Sequence, residues 1–191
     1  MTLKHAKTLT NNQVKTVLRH IADTRYPSRN TVIFLLSVKA GLRAGEIAAL
    51  TWPMVLNSNH QVGETIELHN SAAKKGSGRV LPLHPLLKKA LINHWKENPH
   101  FGHVVTSERG EAMSANSIVN WFGKLYRELS MLGCSSHSGR RTFITNAARS
   151  VHKVGGSLRD VQLLAGHSSI GITQRYIEGD TQTQRRLVAL I

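Results

Sequence analysis

Apolar residues recur at helical spacing through the first fifty residues of the chain. Thr10 and Gln13 have the spacing of a capping box, and the apolar residues after them predict an amphipathic helix beginning near Thr10: Val14, Val17, Leu18, Ile21 and Ala22. Ser28 is the predicted cap of a second helix, which carries apolar residues on nearly every side and is therefore predicted to be buried. Gly41 ends that helix, and Arg43 lies at the start of a short third one.

The pattern changes to alternation in the middle of the chain. Residues 65–68 and 79–83 alternate between apolar and polar side chains, and a polar turn at 73–78 connects them. This arrangement predicts an antiparallel β-hairpin with lysines at its tip. Pro85 opens the next predicted helix, and the apolar pair at 104–105 is predicted to add a third strand.

From Ser114 onward the pattern is helical almost to the end. It predicts one helix after Ser114, one from about residue 137 to 149, one capped by Ser157, and one that carries Tyr176. No internal repeat or proline-rich linker divides the chain, and a single domain commonly has about 100–200 residues. The predicted fold class is α+β: a mostly helical single domain over residues 1–191 with a small antiparallel β-sheet.

Charge adds a functional expectation to this fold. The chain has 25 Lys and Arg residues against 11 Asp and Glu, which gives a formal net charge of +14. So basic a chain indicates a polyanionic partner, most often nucleic acid. Charge alone does not separate a DNA enzyme from a ribosomal protein or a protein that binds membrane surfaces.

Cysteine content and hydropathy narrow the expected compartment. Cys134 is the single cysteine, so an internal disulfide is excluded and no pair of cysteines can hold zinc. The N-terminus lacks the apolar region of a secretory signal, and the longest apolar stretch, residues 32–38, is too short to span a bilayer. We therefore expect a cytoplasmic protein that does not enter a membrane.

Several cationic side chains and a tyrosine in the sequence suit chemistry on a phosphodiester. Metal-free attack on a DNA phosphate needs a nucleophile, cations around the nonbridging oxygens, and an acid for the departing 5′ oxygen. Arg43 and Arg140 are candidates for the oxygens, because guanidinium groups stay charged and donate in a planar fork. His137 lies one helical turn before Arg140, so the two share a helix face, and His167 is a second candidate imidazole.

Tyr176 is the candidate nucleophile. An ordinary phenol has a pKa of about 10 and needs neighbouring positive charge to react near neutral pH, which the arginines and histidines would supply. Tyr26 and Tyr126 have no comparable surroundings and are predicted to be structural. For the acid, the hairpin tip offers Lys74 and Lys75, and spacing alone does not choose between them.

Taken together, four segments resemble the catalytic boxes of the tyrosine recombinases, the family of phage integrases and Xer-type enzymes. In chain order they are GLRAGEI, a lysine followed by RVLPLH, HSGRRTFIT, and LLAGHSSIGITQRYI. The resemblance covers nearly the whole chain and implies a site-specific DNA recombinase, acting in integration, excision, inversion or resolution, that needs neither a cofactor nor a metal. The implied reaction passes through a 3′-phosphotyrosyl intermediate.

The resemblance also implies a role for individual residues. It makes Tyr176 the nucleophile and Glu46 a supporting residue that orients the site, and it selects Lys74 from the spacing to Pro82, with Lys75 as the alternative lysine. It makes Arg43 the first catalytic arginine of the family pattern. His137 and Arg140 correspond to the HxxR pair, and His167 corresponds to the second histidine.

The implied partners are double-stranded DNA and further protomers. Four protomers on paired sites are expected, and the tail at 180–191 is expected to dock either on a neighbour or on its own core. Residues 1–9 are expected to form a basic arm, and the N-terminal domain that closes the DNA clamp in many relatives is expected to be absent. A helper protein or a second recombinase would then supply the DNA contacts that this N-terminal domain makes in relatives. Gly139 stands where the family usually has leucine.

Three other functions fit parts of the same sequence. A noncatalytic DNA-binding regulator would keep the fold, although none of the catalytic positions is lost. A type IB topoisomerase-like enzyme would share the chemistry and relax DNA without a specific site. A metal hydrolase on His100 and His103 has no further cluster of ligands to support it.

Overall fold

The computed structural model describes residues 6–73, 76–97, 99, 102–176, 185, 188, 189 and 191. Within these residues the chain forms eight α-helices and one antiparallel pair of strands. In chain order the elements are α1 (Asn11–Ala22), α2 (Pro27–Lys39), α3 (Ala44–Ala49), β1 (Thr65–Leu68), β2 (Arg79–Pro82), α4 (Pro85–Glu97), α5 (Ala115–Glu128), α6 (Ser138–Ser150), α7 (Leu158–Ala165) and α8 (Ile170–Gln174). The predicted α+β class, mostly helical with a small antiparallel sheet, is confirmed.

Helix α2 is the centre of the main core. Eight of its residues are buried, as its all-round apolar pattern predicts. It packs against α1, α3, α4 and α6, while α5 covers α3. Because α3 and α6 both rest on α2, the segments that begin with Arg43 and His137 are brought together although they are distant in sequence.

A smaller apolar cluster lies beneath the C-terminal helices. Its buried members come from α6 and α7: Ile144, Ala148, Val161 and Ala165. Tyr176 is partly buried against this cluster. Helix α7 also contacts α8 and strand β2, so the hairpin and the C-terminal helices are joined.

The predicted third strand is wrong. Within the described residues the sheet has two strands, and Thr65 pairs with Pro82 at one end of the ladder. Val104 and Val105 are fully buried in irregular backbone, where the Val104 N–H donates to the Leu50 carbonyl. Burial in the core explains their apolar character without a strand, which is the ambiguity of short apolar runs.

Three boundaries also differ from the predictions. Helix α2 begins at Pro27 with Tyr26 as its cap, so Ser28 is already inside the helix, because proline suits the first helical position. Strand β2 ends at Pro82, one residue earlier than predicted. Helix α8 ends at Gln174, and Tyr176 follows it in a turn.

The expected basic arm is partly anchored. Residues 1–5 lie outside the described residues, but Leu9 is buried and its N–H donates to the Thr142 hydroxyl at 2.7 Å. The Lys7 N–H donates to the Gly133 carbonyl at 3.0 Å. Residues 6–9 therefore lie beside the N-terminal end of α6, next to the segment that begins at His137.

Candidate active site

One cleft of about 1230 Å³ collects five of the six predicted catalytic residues: Arg43, His137, Arg140, His167 and Tyr176. Strand β2, the start of α3, the start of α6 and the end of α7 line it. The sixth residue, Lys74, and its alternative, Lys75, lie outside the described residues. Gly76 to Arg79, which follow the lysines, are described, and residues 77–79 line the same cleft.

Arg43 is presented by the junction between α2 and α3. Gly41 has a φ of +67°, a conformation that glycine adopts without strain, and a Cβ there would collide with the Phe143 ring of α6. The chain turns at this point and Arg43 caps α3. Its backbone N–H donates to Glu46 Oε2 at 2.9 Å and its Nη1 to Glu46 Oε1 at 2.7 Å.

Arg140 is held from both sides of the cleft. It lies in the first turn of α6 and is buried, with Nη1 donating to the Gly41 carbonyl at 2.6 Å and Nη2 to the Ala165 carbonyl at 2.7 Å. Burial and the nearby Arg43 lower the pKa of Arg140 to about 10. The guanidinium therefore remains charged at neutral pH, and the two carbonyls fix its plane.

His167 follows a helix-ending turn. Gly166 ends α7 in the left-handed conformation, with its N–H donating to the Leu163 carbonyl and the His167 N–H to the Gln162 carbonyl, both at 3.1 Å. The His167 Nδ1 lies 3.0 Å from the Thr173 hydroxyl. Burial and the positive charges of Arg140 and Arg43 lower the pKa of His167 to about 4, so the ring is neutral at physiological pH.

Tyr176 stacks on His167. The two ring centroids are 5.5 Å apart with an interplanar angle of 23°, and the Arg141 guanidinium lies 5.7 Å from the centre of the tyrosine ring. The Tyr176 N–H donates to the Thr173 carbonyl at 3.1 Å, so one threonine contacts both residues. Tyr176 lies in the turn after α8, and its ring packs between α6 and His167 at the cleft.

The other two tyrosines lie elsewhere, as predicted. Tyr126 is 2% exposed within the main core, and burial raises the pKa of its phenol. Tyr26 caps α2, with the guanidinium carbons of Arg25 and Arg29 at 5.1 and 4.4 Å from its ring centre. Neither tyrosine lines the cleft.

His137 is the cap residue of α6 and lines the cleft with Arg140. This agrees with the predicted shared face of the two side chains. The turn before it is tied down by the Ser138 hydroxyl, which accepts the Ser135 N–H at 3.0 Å. Thr142 in the next turn donates to the Ser138 carbonyl and accepts from Leu9, which links the start of α6 to residues 6–9.

Sequence reasoning missed Arg79. This arginine begins β2, its side chain is 7% exposed, and it donates from Nη1 and Nη2 to the two carboxylate oxygens of Glu46 at 3.1 Å each. The signal in the sequence is its position at the start of RVLPLH, one of the segments that resemble the family's motifs. Burial raises the pKa of Glu46, but the hydrogen bonds and charges of Arg79 and Arg43 outweigh it, and the net pKa is lowered.

The charges in the cleft suit an anion. Arg43, Arg79 and Arg140 bring three guanidinium groups together, and the buried Glu46 carboxylate offsets one of them. Guanidinium groups match phosphate oxygens in geometry as well as charge. A neutral imidazole and a phenol adjoin the cations, so an anion bound in the cleft would meet guanidinium donors, a histidine and a phenol oxygen.

A model described as the phage integrase family matches residues 7–183. This chain belongs to that family. A tyrosine recombinase XerC from Mesorhizobium japonicum is 26% identical over 175 residues, which cover 88% of this chain and 53% of the relative. A tyrosine recombinase from Agathobacter rectalis is 26% identical over 181 residues, covering 89% of this chain and 55% of the relative. The chain spans about half the length of the curated relatives it matches.

Solved structures of an integrase and a recombinase share the fold of this chain. The Tn1549 transposon integrase in complex with transposon right end DNA has a TM-score of 0.75 at 21% identity, covering 98% of this chain and 65% of that one. The XerA recombinase has a TM-score of 0.72 at 18% identity, covering 100% and 65%. At these identities the likeness is one of fold.

Gly139 has a packing reason in this member of the phage integrase family. A Cβ at Gly139 would collide with the Ser37 hydroxyl and lie 2.9 Å from the Ser37 Cβ, because α6 crosses α2 closely at this point. A leucine would not fit unless the two helices separated. The departure from the usual leucine therefore reflects how α6, and with it Arg140, rests on α2.

The described residues bear on two other functions, membrane insertion and metal binding. None of their helices is long and apolar enough to cross a membrane. In that part of the chain, no three histidine, cysteine, aspartate or glutamate side chains gather as metal ligands. His103 forms an isolated bridge with Thr51, and His100 lies outside the described residues.

Proposed function

We propose that this chain is the catalytic domain of a site-specific DNA recombinase that breaks and rejoins DNA through Tyr176. The observation that carries the proposal is the single cleft in which Tyr176 and a neutral imidazole adjoin three guanidinium groups. Membership of the phage integrase family and a formal net charge of +14 support DNA as the substrate.

In the first step the Tyr176 oxygen attacks the scissile phosphorus. The bond from phosphorus to the 5′ oxygen breaks, and a 3′-phosphotyrosyl link and a free 5′ hydroxyl result. The phenol gives up one proton and the leaving oxygen takes one, so the step needs neither oxidant nor reductant. A 5′ hydroxyl of the partner strand reverses the reaction on the new duplex, since the covalent link keeps the phosphate activated.

The arginines stabilise the charge that develops on the nonbridging oxygens. Arg43 and Arg140 are held before substrate arrives, Arg43 by Glu46 and Arg140 by two carbonyls, so little reorganisation is needed during the reaction. His137 assists as a donor to the phosphate. We assign the leaving-group acid to Lys74, with Lys75 as the alternative.

His167 acts as a neutral group in this proposal. Its low pKa keeps the ring uncharged at physiological pH. The tautomer with the proton on Nε2 leaves Nδ1 to accept from the Thr173 hydroxyl. His167 then donates a hydrogen bond to a phosphate oxygen, and its stacking on Tyr176 orients the phenol.

Four protomers are proposed to act on two paired sites. Exchange of two duplexes breaks four strands, and each protomer supplies one Tyr176. The tail at 180–191 is proposed to dock on a neighbouring protomer or in cis. The proposal also includes a helper protein or a second recombinase. The first experiment is therefore done inside cells, where such partners are present.

The decisive experiment traps covalent DNA. Wild type and Tyr176→Phe are expressed in cells that carry the native genome, lysed into denaturant, and the DNA that stays attached to protein is sequenced. Tyr26→Phe is the matched control, because it removes the same phenolic oxygen away from the cleft. We expect adducts at discrete sites for wild type and Tyr26→Phe, and none for Tyr176→Phe.

Other outcomes would contradict the proposal in distinct ways. Adducts that persist in Tyr176→Phe would remove Tyr176 from its role. Adducts scattered over the genome would favour a topoisomerase-like enzyme. If no adduct forms while the protein still occupies DNA after mild crosslinking, a noncatalytic regulator is favoured.

A further inference from the structure

Arg79 makes more contacts around the cleft than its place in the sequence suggests. It lies in β2, yet its side chain reaches both α3 and the end of α7. Nη1 and Nη2 donate to Glu46 in a two-bond fork, and Nε donates to the Leu164 carbonyl at 2.9 Å. With 7% of the side chain exposed, the guanidinium has little access to solvent.

The contact between Arg79 and Glu46 affects Arg43, because Glu46 also binds Arg43. The Glu46 carboxylate accepts four hydrogen bonds, two from Arg43 and two from Arg79. An ionised carboxylate has about four acceptor positions, so all of them are used. Without Arg79, both oxygens could turn toward the Arg43 guanidinium and draw it away from a bound phosphate.

The contact between Arg79 and the Leu164 carbonyl affects the turn after α7. The carbonyl of Leu164, which accepts from Arg79, directly precedes that of Ala165, which accepts from Arg140. A Cβ at Gly166 would lie 2.8 Å from Arg79 Nη1, so glycine permits the guanidinium to lie against the turn. His167 is the next residue, and the position of its ring follows from this turn.

A gain in folding stability does not by itself explain this buried cluster of Arg43, Glu46 and Arg79. Taking an arginine and a carboxylate out of water costs free energy that their attraction often does no more than offset, and apolar replacements of buried ion pairs are frequently tolerated. Arg79 moreover adds a third cation to a cleft that already holds Arg43 and Arg140. A role in placing the other groups accounts for a fork of this geometry better than stability does.

The geometry points to Arg79 as a positioning residue for the reaction. It holds Arg43 through Glu46, and it holds the turn of Ala165 and His167 through Leu164. The inference rests on the proposed function, in which Arg43, Arg140 and His167 contact the phosphate. Arg79 itself does not contact the reacting atoms and acts through Glu46 and Leu164.

The kinetic test compares Arg79→Met and Arg79→Lys with wild type. The substrate is a nicked duplex with the sequence recovered from the trapped adducts, and single-turnover cleavage and DNA affinity are measured separately. We expect Arg79→Met to cleave about tenfold to a hundredfold more slowly, because small displacements of reacting groups have effects of that size. DNA affinity should stay within about threefold, and Arg79→Lys, which keeps the charge, should recover part of the rate.

Arg25→Met is the matched control for the lost charge. Arg25 is exposed and pairs with Glu108 away from the cleft, so its replacement should leave the cleavage rate at saturating DNA unchanged. A merely structural role for Arg79 would lower the melting temperature and the fraction of active protein. It would not lower the cleavage rate for each active molecule. Titration with excess nicked duplex gives the fraction of active protein, from which that rate is calculated.

A second readout does not depend on cleavage. In protein labelled with 13C at glutamate Cδ and 15N in arginine, the Glu46 carboxyl and the Arg43 guanidinium are followed by NMR through a pH titration. Loss of Arg79 should raise the pKa of Glu46 and shift the Arg43 side-chain resonances, whereas Arg25→Met should change neither. If Arg79→Met does not fold, Arg79→Lys provides the same comparison.

The two readouts separate the possible failures. If wild type forms no adduct, the proposed function fails, and the NMR comparison still decides whether Arg79 positions Arg43. Unchanged Arg43 resonances in a folded Arg79 variant would overturn the inference. So would a cleavage rate for each active molecule equal to that of wild type.

Discussion

Lowering the pH from 7 to 5 should destabilise the protein through His167. The buried, cation-lined position of His167 lowers its pKa from an ordinary 6.5 to about 4. Between these two values the unfolded chain binds a proton that the folded protein does not, so stability falls as the pH falls. The contribution is fully present above pH 6.5 and is lost progressively toward pH 4.

The size of the effect follows from the two pKa values. At pH 5 the unfolded histidine is almost fully protonated and the folded one is about one-tenth protonated, whereas at pH 7 both are largely neutral. The difference amounts to about 2 kcal/mol of unfolding free energy. Glu46, whose pKa is lowered from 4.5, begins to lose its contribution as the pH falls below about 4.5, which is outside the range from pH 7 to pH 5.

The assay is urea unfolding of wild type and His167→Asn at pH 7 and pH 5. Asparagine does not titrate, so the pH-dependent loss should be smaller in the variant by about 2 kcal/mol. Contributions from other groups, such as His84 with its lowered pKa, are common to both proteins and cancel in the comparison. Equal losses in the two proteins would contradict this prediction, because they would mean that His167 takes up its proton alike in the folded and unfolded states.

Two further predictions concern α6. Gly139→Ala should lower the unfolding free energy by about 1–2 kcal/mol, because its Cβ collides with Ser37 and overpacking outweighs the gain in helix propensity. Urea unfolding measures this, the double variant with Ser37→Gly should be more stable than the sum of the single effects, and a Gly139→Ala protein as stable as wild type would contradict the clash. Arg140→Ala should slow adduct formation at least about a hundredfold with DNA binding retained. The exposed Arg109→Ala serves as its control, and a near-normal rate would exclude Arg140 from contact with the phosphate.

Local features of the fold could be predicted from the sequence because local interactions cause them. The capping box of Thr10 and Gln13 forms as its spacing indicates. Gly41 adopts the left-handed conformation that ends α2, and residues 65–68 pair with the strand that begins at Arg79. Each of these depends on side chains and backbone groups within a few residues, or on a single hairpin.

The buried pair at Val104 and Val105 shows where this reasoning fails. An apolar run indicates burial, and these residues are buried, but periodicity over two residues does not distinguish a strand from irregular backbone in the core. The Val104 N–H finds its acceptor in Leu50, more than fifty residues earlier. Such a pairing depends on how α2, α3 and α4 pack.

For the site, the chemical groups that are available could be identified from the sequence. Motif order singled out Arg43, His137, Arg140, His167 and Tyr176, and all five line one cleft. Their roles as catalytic residues stay predictions, to be tested by the experiments above. The fold class and the family also follow from the sequence, because the periodicity and the order of the motifs are written along the chain.

Tertiary structure alone decided how these groups act on one another. Arg79 joins Glu46 and Leu164 across 33 and 85 residues of sequence, and Arg140 reaches the Gly41 carbonyl across 99. The neutral state of His167 arises from burial beside cations contributed by separate elements. Distances and desolvation belong to the packed molecule and not to any local segment, which is why the sequence names the groups and the fold sets their charges and directions.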